Sequence, residues 1–144
     1  MRPALRVLSI SMIVGVLPLC YGCDSKAREK AREDEEQLSK QRAMTEAARA
    51  QIQMLETALQ IYKSEIGGWP TTFQGLSALR SVPDGLSDNS KWNGPYFKTD
   101  LPFDPWGQPY QYASPGIHNP DSYDLWSFGL DGQSGNEIGN WKSK

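Results

Sequence analysis

The side chains able to do chemistry are few and scattered in this 144-residue chain. His118 is the single histidine and lies in a Gly- and Pro-rich stretch. A general base needs a fixed partner, so His118 reads as an exposed loop residue. Both cysteines, Cys20 and Cys23, fall within the first 23 positions, which leaves the rest without a disulfide framework. The carboxylates are dispersed, and no Gly-rich phosphate loop follows a strand pattern. One turn-rich run of oxygen-bearing side chains is 127–138, where Asp131, Gln133, Asn136 and Glu137 alternate with glycines. Its spacing is not that of an EF-hand, and taken alone it is a Gly-rich turn with solvated acids. The five Trp are expected in the core, not on a carbohydrate platform. These features argue against an enzyme.

Residue types are unevenly distributed. All five Trp, all four Phe and five of the six Tyr come after residue 60. Eleven of the 13 Gly and eight of the ten Pro come after residue 66. Between residues 24 and 50 there are seven acidic and seven basic side chains and no aromatics. Only the last part can build a core, and it is small enough to need help from a helix, a metal or a neighbour. The net charge of −2 gives no electrostatic case for nucleic acid.

The start of the chain reads as an address. Arg2 and Arg6 precede an apolar run over 7–19, and small residues follow near Gly22. A basic region, a short apolar region and a small residue describe a secretory signal, assigned to residues 1–22. The run is shorter than the ~20 apolar residues of a comfortable membrane span. In a lipoprotein signal, Cys23 is the acylated residue and tethers the protein to a membrane.

From residue 25 to 66 there is neither Pro nor Gly, and Ala, Glu, Lys, Arg and Gln dominate. Strong helix formers of this kind predict a helix over about 27–66. Its first part, 23–43, is a charged, solvated stalk expected to project. At Met44 an apolar stripe begins: Met44, Ala48, Ile52, Leu55, Leu59, Tyr62 and Ile66 recur at steps of three and four. Such spacing is one buried helical face, widened by Ala58 and Ile61. Gly67-Gly68 stops the helix and Pro70 prevents re-entry.

The remaining residues, within a domain of 44–144, read as a small sheet with extended loops. Thr71 and Gln74 form a capping box before a short helix with Phe73, Leu76 and Leu79 facing inward. The segments 92–96 and 101–107 are too proline-rich for central strands and read as aromatic loops pinned to the body. Residues 109–113 and 122–128 alternate as strands, with turns at Pro115-Gly116 and Asn119-Pro120. The fold class is α+β: a long N-terminal helix packed on a small antiparallel sheet.

These residues also carry a family resemblance. Ala50-Gln51-Ile52, Leu55 through Leu59, Gly68-Trp69-Pro70-Thr71-Thr72, Trp92-Asn93-Gly94-Pro95-Tyr96, Asp104-Pro105-Trp106-Gly107, Pro109 through Tyr112 and Ile138-Gly139-Asn140-Trp141 resemble the major pseudopilin family of type II secretion. The resemblance runs in register over about 47–141. It implies a type IV pilin-like periplasmic head on a long helix, a structural subunit that assembles with other secretion-system proteins and pseudopilins, further copies of itself included. The chain departs from the family at its start, where the prepilin cleavage motif and long apolar helix half are replaced by the short apolar run and charged stalk.

The resemblance also implies a calcium ion in the loop over 127–138. Carried over, Asp131 and Glu137 supply charge, Asn136 a neutral oxygen, and Phe128 and Gln133 main-chain carbonyls. The loop is shorter than in the family, and Asn136 stands where Asp is usual. The alternative function is a free-standing calcium-binding periplasmic lipoprotein that recognises another ligand and does not assemble.

Overall fold

A computed structural model describes residues 21–132 and 134–142. The expected signal at 1–22 lies outside these residues except for Tyr21 and Gly22, which begin the long helix. That helix, α1, is Tyr21–Ile66, six residues longer at its start than its composition predicts. The chain divides into two compact units, 1–36 and 37–144. In the first, the described residues from Ser25 onward are exposed helix, as a polar stalk with no apolar face requires.

In the second unit α1 carries the core. Ala48, Ile52, Leu55, Ala58, Leu59 and Tyr62 are buried, so the three-four stripe is the packed face. Ile61 does not widen it. That side chain is 45% exposed, because a helix lying on a small body buries one arc and position 61 falls outside it. The Gly67 amide closes the helix onto the Lys63 carbonyl at 2.8 Å. Its φ of 95° is a conformation that glycine adopts without steric cost. Lys63, in the last turn, also places its ammonium 4.4 Å from the Trp69 ring centre.

The capping box forms as expected. Gln74 Oε1 accepts from the Thr71 amide at 2.9 Å, and Thr71 Oγ1 accepts from the Gln74 amide at 3.2 Å. The short 3-10 helix begins only at Leu76 and ends at Leu79. Leu76 and Leu79 are buried, but Phe73 is 90% exposed. It sits in the turn ahead of the helix, where helical periodicity does not set its direction.

Three short strands make an antiparallel sheet in the order β1-β2-β3. They are β1 Gln111–Ala113, β2 Asp124–Ser127 and β3 Ile138–Gly139. Tyr112 faces Leu125, and Ser127 faces Ile138. Along β2 the expected alternation holds for Tyr123, Leu125 and Ser127, which are buried. Asp124 breaks the pattern from the other face and is buried too. The two-residue β3 is too short to show a readable period in the sequence.

The 92–96 loop and the tyrosines of the 109–113 stretch are pinned by hydrogen bonds reaching far along the chain. Trp92 Nε1 donates to the Ala78 carbonyl at 3.0 Å, and Tyr112 Oη to the Pro70 carbonyl at 2.8 Å. Tyr96 Oη donates to Glu65 Oε2 at 2.7 Å, and Tyr110 Oη to Gln51 Oε1 at 2.5 Å. Each satisfies a part-buried polar group, and leaving such a group fully buried and unpaired costs about 1–3 kcal/mol.

Candidate functional site

The loop between β2 and β3 is built outward from a buried carboxylate. Asp104 lies almost fully buried and accepts from the Trp106 and Gln108 amides at 3.0 and 2.7 Å. Its second oxygen takes the hydroxyl of Ser127, at the end of β2. Ser127 Oγ in turn accepts from the Gly129 amide at 2.9 Å. Phe128, half-buried, precedes a single 3-10 turn, Gly129–Asp131. Gly132 then takes the left-handed conformation, φ 62° and ψ 17°, and the chain reverses.

Asp131, Asn136 and Glu137 are brought onto one face of this loop. Asn136 Nδ2 donates to Asp131 Oδ2 at 3.2 Å. Glu137 Oε1 accepts from the Gly135 amide at 2.9 Å. Backbone amides, that of Glu137 itself first and then Gly135, hold the Glu137 carboxyl below the usual carboxylate range. Gln133 lies outside the described residues. Together with Thr45 and Arg49 of α1, Trp106 and Trp141, the acidic loop lines a cavity of about 760 Å³.

The far end of the loop is clamped to the sheet. Asn140 exchanges hydrogen bonds with Leu125: its amide donates to the Leu125 carbonyl at 3.0 Å, and its Oδ1 accepts from the Leu125 amide at 3.1 Å. Its Nδ2 reaches the Tyr123 carbonyl at 3.2 Å. Trp141 then stacks on His118, ring centres 3.9 Å apart and planes 5° from parallel.

His118 is therefore not the unconstrained loop residue its surroundings suggest. Its ring is 49% exposed, yet Nδ1 lies 3.1 Å from Asp124 Oδ2. An ionised carboxylate only accepts, so that nitrogen carries hydrogen. Asp124 organises the whole β1–β2 turn, accepting from the amides of Ile117, His118 and Asn119 at 2.7, 2.8 and 3.0 Å. Asn119 Nδ2 adds a further bond at 2.9 Å. Burial acts to raise the Asp124 pKa, but the bonds from His118, Ile117 and Asn119 outweigh it and the net shift is downward. The sequence signal for this role was weak: an Asp four residues after an Asn-Pro turn.

A calcium shell takes six to eight oxygens. Two carboxylates are present. The amide between them presents its donor end to Asp131, and one Glu137 oxygen is turned back onto the loop's own backbone. Among the described residues no group of three or more His, Cys, Asp or Glu is placed to hold a metal ion.

A family model described as "Type II secretion system (T2SS), protein G" matches residues 37–141. The type II secretion system core protein G of Pseudomonas aeruginosa is 40% identical over 104 residues, covering 69% of this chain and 72% of that one. That of Aeromonas hydrophila is 42% identical over 109 residues, 74% of each. That of Escherichia coli K12 is 34% identical over 139 residues, 95% of this chain and 87% of that one. Among solved structures, the major pseudopilin from the type 2 secretion system of enterohaemorrhagic Escherichia coli superposes with a TM-score of 0.64. It is 34% identical and covers 72% of this chain and 87% of its own.

Proposed function

The chain belongs to the type II secretion system protein G family, and from that premise we propose how this subunit is held and what it touches. Its role is structural: a pilin-like head on a helix, contributing contacts to a secretion apparatus. The observation that carries this reading is the extent of the match. Residues 37–141 include the buried stripe of α1, the aromatic pins and all three strands.

The head faces the periplasm on a membrane tether, and acylation at Cys23 supplies that tether. The support is the order of residues: two arginines, a short apolar run, then Gly22-Cys23. Among the described residues no helix is long and apolar enough to cross a membrane. A Cys23→Ser variant in the native host is expected to leave the membrane fraction and lose the mass of the acyl chains. Unchanged mass and fractionation of that variant would reject lipidation.

Neighbouring subunits, further copies of this chain included, meet the exposed face of α1. Met54 and Ile61 stand seven residues apart, two turns of one helix face, and are 57% and 45% exposed. A photo-crosslinking amino acid at position 54 is expected to trap pseudopilins of the same apparatus, and deletion of the gene to lower secretion of type II substrates. Unaltered secretion together with no crosslink to any secretion subunit would reject the assembly role and leave a free-standing periplasmic protein.

A further inference from the structure

We propose that the 127–138 loop is closed by its own hydrogen bonds, with Asn136 standing in for a metal ion. This departs from the calcium expectation and does not depend on how the chain is anchored. Three observations point the same way. Asn136 carries a neutral amide where the family resemblance places a carboxylate, and its N–H₂ donor reaches Asp131 Oδ2 at 3.2 Å. A cation between the two side chains would bring this amide around to present its oxygen, giving up that bond. Glu137, the second carboxylate, has one oxygen bound to the Gly135 amide at 2.9 Å, so it folds the loop back on itself.

The third observation is that both ends of the loop are already fixed by protein groups. At the entry, Asp104, Ser127 and Gly129 form a relay of hydrogen bonds. At the exit, the Asn140 side chain bridges the Leu125 amide and the Tyr123 carbonyl, and Trp141 is stacked on His118. A metal contributes most where ligands come from segments that are otherwise unconnected. Here the connection is made without one. The amide also removes one negative charge from a site whose affinity depends on ligand charge. The neutral donor is thus attractive toward Asp131, where a third carboxylate would be repulsive without a cation.

The test compares thermal unfolding of the full chain in millimolar calcium and in chelator. The wild type is expected to melt at the same temperature in both, with no saturable calcium binding by calorimetry. Asn136→Ala removes the donor without adding charge and is expected to lower the midpoint by about 2–4 °C, equally in both conditions. Asn136→Asp is expected to melt lower than wild type in chelator and to recover when calcium is added. A wild-type midpoint that rises in calcium, or saturable calcium binding, would overturn the proposal. So would an Asn136→Ala protein that melts like the wild type.

Discussion

The imidazole of His118 lies flat on the indole of Trp141, with ring centres 3.9 Å apart. This contact joins the turn between β1 and β2 to the tail that follows β3. Stacked aromatic pairs contribute about 0.5–1.5 kcal/mol beyond simple burial. His118→Ala and Trp141→Ala should therefore show a coupling of about that size in a double-mutant cycle followed by chemical denaturation. Strictly additive effects would mean that the two rings are neighbours without mutual stabilisation.

The Asp124 carboxylate is the hub of the same turn, and its loss should be severe. Asp124→Ala leaves three backbone amides without their acceptor, for an expected cost of about 2–4 kcal/mol in urea unfolding. The pH dependence has a definite sign. Folding lowers this pKa from its ordinary 3.8, so the unfolded chain binds the proton first as the solution is acidified. The contribution is complete well above pH 3.8 and is lost as the pH falls through and below that value. Removing Asp124 should flatten this part of the acid-unfolding curve.

Tyrosines govern the alkaline limb. Burial, the largest cause in each case, pushes Tyr96, Tyr110 and Tyr112 up to about 12, and Tyr123 is raised further. With native values above the ordinary 10.0, the unfolded chain loses its protons first, and stability falls as the pH rises from about 10 to about 12. The tyrosinate ultraviolet band should grow together with loss of near-ultraviolet circular dichroism. Tyrosinate appearing near pH 10 while the native signal persists would show these rings to be freely ionisable in the folded state.

Much of the fold is written in short-range patterns. The stripe over Met44–Ile66 set the buried face of α1, since spacing of three and four on a helix needs no knowledge of the partner. Gly67 and the Thr71–Gln74 box marked where that helix ends and how the next turn is capped. The hairpin was legible from alternation at Tyr123, Leu125 and Ser127. Failures fell where direction is decided by contacts, not by period. Phe73 points outward from a turn, and Ile61 lies just beyond the packed arc.

The loop over 127–138 shows the division between local pattern and tertiary contact most clearly. By itself the sequence determined the helix, its stop, the capping box, the two main strands and the collection of Asp131, Asn136 and Glu137 in one Gly-rich turn. Each rests on residues within about six positions of one another or on a short repeating step, where propensity and periodicity act. Only the tertiary structure decided that Asp104 supports Ser127 from 23 residues away, that Asn140 ties the loop's exit to β2, and that His118 meets Trp141. It also decided which end of the Asn136 amide faces Asp131. These contacts depend on how distant segments close around one core, and no local pattern encodes which polar atoms then meet.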